Sequence, residues 1–208
     1  MEKSVKIPIN SVKLQGNLSL TKKAKGIVIF AHGSGSSRFS PRNQFVAQVL
    51  QKASLGTLLF DLLTEEEDAI YENRFNINLI AQRLITATKW LKKQSEVKGM
   101  KIGYFGASTG AAAALQADAE IGNISAIVSR GGRPDLAEDY LNKVKAPTLL
   151  IVGEYDEVVI ELNRQAYDKI RAGKKLVIVP KATHLFEEPG ALEKVADLAK
   201  DWFVKYLR

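Results

Sequence analysis

The sequence predicts an α/β fold in which a mostly parallel sheet carries helices on both faces. Six short runs rich in Val, Ile, Leu and Phe lack alternating polar residues, as is typical of strands buried on both faces. Amphipathic segments of helical length lie between these runs. Regular alternation of strand and helix implies right-handed crossovers and a doubly wound sheet. The chain has 208 residues, and we expect one domain over residues 1–208.

The predicted strands are an N-terminal hairpin and six buried runs. Residues 5–20 alternate between polar and apolar side chains, which indicates a half-exposed antiparallel hairpin at one edge of the sheet. The buried runs lie at residues 26–33, 55–63, 101–106, 124–129, 146–153 and 174–180.

Helix starts are marked by capping residues. Ser40 is a predicted N-cap, and Pro41 suits the first helical position because its missing N–H is not needed there. Thr64 and Glu67 have the spacing of a capping box, so we interpret the acidic run after Thr64 as a helix start rather than a metal site. Residues 75–94 and 190–207 carry apolar side chains at helical spacing, which predicts two long amphipathic helices.

Composition indicates a soluble, cytoplasmic protein without a membrane segment. The formal net charge is +7, and much of the excess lies in the first 25 residues. That segment has no aromatic residue for stacking on bases, so we interpret it as a solvated basic edge and expect no nucleic-acid partner. Its lysines are at positions 3, 6, 13, 22, 23 and 25. The chain has no cysteine, which excludes a disulfide framework and a thiol nucleophile.

The sequence Gly106-Ala107-Ser108-Thr109-Gly110 follows a predicted strand and opens an alanine-rich segment. It matches G-x-S-x-G in the strand–turn–helix setting that gives this motif its meaning. A sharp turn of this kind forces the central residue into a strained conformation with positive φ, and glycine on either side avoids collisions. We therefore predict that Ser108 is presented as a nucleophile above the sheet edge.

A serine nucleophile needs a base, and the base needs an orienting acid. The chain has two histidines. His184 follows the last predicted strand and is the candidate base, whereas we expect His32 to turn inward and brace a glycine-rich loop. Asp156, three residues beyond the strand-ending Gly153, is the candidate acid. Three other acidic residues compete for this role: Asp135, Glu154 and Glu157.

Together these motifs resemble the dienelactone hydrolase family of the α/β-hydrolase fold. The resemblance rests on "AHGSGSS", "GYFGASTGAAAAL", "IVGEYDEVV" and "ATHLFEEPG", and it runs from about Gly26 to the C-terminus. The order Ser…Asp…His is that of this fold. The resemblance implies a three-layer sandwich and acyl-transfer chemistry. Dienelactone hydrolase itself uses a cysteine nucleophile, so the lactone substrate does not carry over to this serine-containing chain.

The implied activity is a serine hydrolase that cleaves small carboxylic esters, thioesters or lactones through Ser108, His184 and Asp156, without a cofactor or metal. Thr109 N–H, at a helix N-terminus, is one predicted oxyanion donor. By resemblance, Ser34 N–H is the other. The short connection between Ser129 and Pro147 leaves no room for a cap domain.

Other features bear on substrate and on rival functions. Arg130 and Arg133 could face the pocket and pair with a negative group of the substrate, or they could be solvated.

A catalytically silent ligand-binding protein of the same fold is the main alternative. A nucleotide-binding module is disfavoured because "GSGSSR" lacks the third glycine of the dinucleotide motif and no P-loop occurs. A metal hydrolase is disfavoured because the two histidines lack ligand spacing. Oligomeric state is left open.

Overall fold

The computed structural model describes residues 2–10, 12–21 and 23–208, so Ser11 of the predicted hairpin and Lys22 of the basic segment lie outside the described residues. Its described strands form one eight-stranded sheet in the order β1-β2-β4-β3-β5-β6-β7-β8. The strands are β1 (Glu2–Ile9), β2 (Val12–Ser19), β3 (Gly26–Ala31), β4 (Gly56–Phe60), β5 (Lys101–Ala107), β6 (Ala126–Arg130), β7 (Thr148–Gly153) and β8 (Lys174–Val179).

The N-terminal hairpin forms one edge of the sheet, as predicted. β1 pairs antiparallel with β2, and β2 pairs antiparallel with β4. From β4 to β8 the neighbouring strands are all parallel. The central strands are buried on both faces, which confirms that interpretation of their sequence. β8 is only half-buried, because it is the outermost strand of the sheet.

Helices cover both faces, which confirms the predicted doubly wound architecture. The α-helices are α1 (Pro41–Lys52), α2 (Glu65–Asp68), α3 (Ile77–Lys92), α4 (Thr109–Ile121), α5 (Glu157–Lys169) and α6 (Ala191–Leu207). Side chains of α3 and α4 pack into one apolar cluster with the sheet, and those of α1 and α6 pack into the other. No helix among the described residues is long and apolar enough to cross a membrane.

The predicted helix starts are also observed. Ser40 Oγ accepts a hydrogen bond from the backbone N–H of Asn43, and Pro41 is the first residue of α1. Thr64 and Glu67 form a capping box, but the helix that it starts is a single turn. The connection between β6 and β7 is a 3₁₀ segment with a kink at Ala137, and it leaves the carboxyl edge of the sheet without a cap domain.

Candidate active site

The turn between β5 and α4 holds Ser108 in a strained conformation. Its φ is 51° and its ψ is −120°, a positive-φ conformation that a residue with a side chain rarely adopts. A Cβ on Gly106 would lie 2.7 Å from the carbonyl oxygen of Gly110, and one on Gly110 would lie 2.5 Å from that of His32. The two glycines are therefore required by close backbone packing, as the sequence predicted. Ser108 is half-buried at the carboxyl edge of the sheet.

A four-residue segment at the end of β6, residues 130–133, lies against this serine. The backbone N–H of Ser108 donates to the carbonyl of Arg130 at 3.2 Å, and the N–H of Arg133 donates to the carbonyl of Ser108 at 3.1 Å. Gly131, between them, faces His184: a Cβ there would be 3.3 Å from His184 Cε1. Ser108 and His184 thus flank the same segment of backbone.

His184 is oriented by Asp156. Its Nδ1 lies 2.6 Å from Asp156 Oδ2, although 28 residues separate the two in sequence. Asp156 stands at the N-cap position of α5 and makes no capping bond, so its carboxylate is directed to the imidazole and not to its own helix. A backbone bond from Tyr155 N–H to the Ala182 carbonyl, 2.9 Å long, ties the two loops together. With Nδ1–H donating to the carboxylate, Nε2 is the nitrogen that can accept a proton.

The three other candidate acids do not contact His184. Glu154 Oε2 accepts the backbone N–H of Lys181 at 2.7 Å. Asp135 forms a bidentate ion pair with Arg133, at 2.9 and 2.7 Å. Glu157 is exposed in the first turn of α5, where a carboxylate suits the helix dipole. Of the four candidates named from the sequence, Asp156 is the one that contacts His184.

His32 braces its loop, as the sequence predicted. It is buried, its Nδ1 lies 2.9 Å from the Gly33 carbonyl, and its Nε2 accepts the backbone N–H of Leu62 at 3.1 Å. These bonds occupy both ring nitrogens and fix the neutral form with the proton on Nδ1. Burial lowers the pKa of His32 below its ordinary value. The ring therefore has no free nitrogen with which to act as a base.

The two predicted oxyanion donors lie on one narrow cavity between the loop after β3 and the start of α4. Ser34 and Thr109 both contribute to its lining, together with Gly35 and His32. Thr109 is the first residue of α4, where a backbone N–H has no carbonyl partner within the helix. The helix dipole adds positive potential at the same point.

Arg130 is buried and has no counterion among the described residues. The residue is only 7% exposed, and its guanidinium lies 5.9 Å from the ring centroid of Phe186. Within the described part of the chain its Nε has no hydrogen-bond partner, and no ion pair reaches it. Burial, and to a smaller extent the charge of Arg42, lowers the pKa of Arg130 to about 10. Arg133, the other candidate, is instead paired with Asp135.

Sequence reasoning missed Asn163, a fully buried residue of α5. Its Nδ2 donates to the carbonyl of Gly132 at 2.9 Å and to that of Val159 at 2.8 Å. The first bond fixes the segment that lies between Ser108 and His184. No local signal marks Asn163, because its partner Gly132 is 31 residues away.

Comparison with known proteins places the chain in a family. The profile of the dienelactone hydrolase family matches residues 19–207. The chain belongs to the dienelactone hydrolase family. A dienelactone hydrolase from Anabaena variabilis, known from a crystal structure, is 56% identical in sequence to this chain. The two structures superpose with a TM-score of 0.97, over 100% of this chain and 99% of the other. This family member thus has the α/β-hydrolase fold, as the resemblance implied.

More distant and longer relatives complete the comparison. An esterase from Pyrococcus furiosus has the same fold at 19% identity, with a TM-score of 0.83 over 100% of this chain and 92% of its own. Two Mycobacterium tuberculosis proteins, provisionally named phosphoribosyl transferases, are 55% identical over 207 residues. The alignment covers 99% of this chain but 47% of theirs, so the chain spans about half the length of these curated relatives.

Proposed function

We propose that this dienelactone hydrolase family member is a serine hydrolase that cleaves small carboxylic esters or related acyl compounds through an acyl-enzyme. The observation that carries the proposal is the 2.6 Å contact between His184 Nδ1 and Asp156 Oδ2, beside the backbone segment that also contacts Ser108. A base held by an acid, next to a strained serine, is the arrangement that activates a hydroxyl nucleophile.

The proposed reaction begins when Ser108 Oγ attacks the carbonyl carbon while its proton passes to His184 Nε2. The negative charge that develops on the carbonyl oxygen is stabilised by the backbone N–H groups of Ser34 and Thr109. When the tetrahedral intermediate collapses, the leaving alcohol departs with the proton from His184. Water then attacks the acyl-enzyme by the same route and releases the acid. Asp156 stabilises the imidazolium formed in each half-reaction.

The test compares the wild type with Ser108→Ala, and with Ser95→Ala as a matched serine control away from the sheet edge. We expect the wild type and the control to hydrolyse p-nitrophenyl acetate and butyrate and to be labelled by a fluorophosphonate. Both activities are expected to be absent from Ser108→Ala. A wild type that neither turns over nor labels would overturn the proposal and favour the alternative, a silent ligand-binding protein of the same fold.

A second part of the proposal concerns Arg130 as a substrate contact. A buried guanidinium without a counterion is costly, and an anionic group of the substrate would relieve that cost. We expect Arg130→Ala to lose more kcat/KM on a carboxylated ester than on the matching neutral ester. Arg133→Ala is the control, because its charge is already paired. If Arg130→Ala changed both substrates equally, this contact would be refuted.

A further inference from the structure

A cavity of about 520 Å³ opens beside the predicted oxyanion donors and is not used by the proposed chemistry. Its walls come from β2 and from the loops that follow β3 and β4. A volume of this size is that of a small-molecule site. It shares His32, Leu63 and Asp68 with the narrow cavity that Ser34 and Thr109 line, so the two spaces adjoin.

The lining offers donors and acceptors together. Arg38 and Asp61 form an ion pair on its wall, and the backbone N–H of Arg38 also donates to Asp61 at 2.9 Å. Lys13 and Gln15 contribute further donors, and Ser36 contributes a hydroxyl that can donate or accept a hydrogen bond. The exposed carboxylates of Glu65 and Glu66 contribute acceptors.

This mixture fits hydroxyl groups better than charged groups. Each hydroxyl both donates and accepts, and so can use both kinds of wall atom. Outside the Arg38–Asp61 and Arg74–Asp68 ion pairs, the lining carries Glu65 and Glu66 against Lys13, so a carboxylate in the ligand would meet a wall of net negative charge. An alkyl chain would leave the polar groups of the wall without partners. Phe39, 55% exposed, adds an aromatic ring whose other partner is the Arg38 guanidinium, 4.1 Å from the ring centroid. Such a ring is a flat apolar surface for the C–H face of a polyhydroxylated group.

The position of the cavity indicates which half of the substrate enters it. In the proposed reaction the leaving alcohol must lie by His184, which gives it a proton. The narrow cavity is lined by Ser34 and Thr109, and the 520 Å³ cavity is lined by later residues of the loop that contains Ser34. Among the described residues, His184 lines neither cavity. The group that extends past Ser34 is therefore the one attached to the carbonyl carbon.

We infer that the 520 Å³ cavity binds a neutral, polyhydroxylated acyl group, so that the substrates are esters or lactones of polyhydroxy acids. This inference rests on the proposed function for its chemistry, and on the cavity for its specificity. The residues that give the preference are Glu66, through hydrogen bonds, and Phe39, through its exposed ring.

The experiment compares δ-gluconolactone with δ-valerolactone, which is the same ring without the hydroxyl and hydroxymethyl groups. Initial rates are followed by acid release, with the spontaneous rate subtracted. We expect the wild type to have the higher kcat/KM on gluconolactone. Glu66→Ala, which removes the acceptor, and Phe39→Ala, which removes the ring, should each lower that value about tenfold, the loss of one good hydrogen bond or contact. Both variants should leave the kcat/KM on valerolactone within about twofold of the wild type. Glu72→Ala and Phe75→Ala are matched controls, since both residues are exposed in the connection between β4 and α3 but lie outside the lining.

The outcomes separate the inference from the proposed function. Equal or reversed preference in a wild type that turns over p-nitrophenyl acetate would overturn the inference alone. If no ester or lactone is cleaved, saturation-transfer NMR of Ser108→Ala with gluconamide and valeramide decides. Gluconamide binding that is lost in the Phe39→Ala background would uphold the site without the chemistry, and equal or absent binding of both amides would overturn it.

Discussion

Replacing Gly131 by alanine should damage catalysis more than stability. Gly131 has a φ of +50°, so any side chain there costs about 1–2 kcal/mol of stability. The new Cβ would also lie 3.2 Å from the carbonyl oxygen of His184, 3.3 Å from its Cε1 and 3.4 Å from its Nδ1. Contacts this short require the imidazole to move by a few tenths of an ångström away from its position beside Asp156.

Gly99 offers a matched control for that substitution. Its φ is +81°, and a Cβ there would meet nothing within 4 Å. Gly99→Ala and Gly131→Ala should therefore lose similar stability, about 1–2 kcal/mol each by chemical denaturation. Only Gly131→Ala should lose turnover on p-nitrophenyl acetate, by about tenfold to a hundredfold, because a small displacement of a catalytic group is expensive. Equal turnover in the two variants, at equal loss of stability, would refute the placement of His184 by this glycine.

Three further predictions follow from individual contacts. Asp156→Asn should leave the fold intact and lower kcat on p-nitrophenyl acetate by about four orders of magnitude, because the amide Nδ2–H can donate to His184 Nδ1 and so favour the wrong tautomer of the imidazole; circular dichroism checks the fold. Asn163→Ala should lower the free energy of unfolding by about 2–4 kcal/mol, since two buried carbonyls lose a donor, and an unchanged denaturation midpoint would contradict this. Because burial lowers the pKa of His32 in the folded state, the unfolded chain takes up the proton first as the pH falls below about 6.5. The free energy of unfolding should therefore decrease with acid, by at most about 1.4 kcal/mol per pH unit. Denaturation of the wild type and His32→Gln from pH 5 to 8 measures this, and parallel slopes would contradict it.

Much of the fold and part of the site could be predicted from short stretches of sequence. The glycines on either side of Ser108 predict a strained turn because the motif and its strand–turn–helix setting lie in one short stretch, although the carbonyl that Gly110 packs against belongs to the distant His32. The capping box of Thr64 is likewise complete within four residues. The inward orientation of His32 follows from its place between a buried strand and a glycine-rich loop. In each case a short stretch of sequence carries the signal, even where one partner, such as Leu62 for His32, lies far along the chain.

Other features were decided by the tertiary structure. Glu154 and Asp156 have the same local setting after β7, and only the approach of the loop after β8 assigns one to a backbone N–H and the other to His184. The bond from Asn163 to Gly132 and the enclosure of Arg130 likewise depend on elements far apart in the chain. Sequence patterns report interactions within a turn of helix or a strand end. Which distant side chains meet is fixed by the strand order and by the packing of loops above the sheet, where a shift of one residue would exchange their partners.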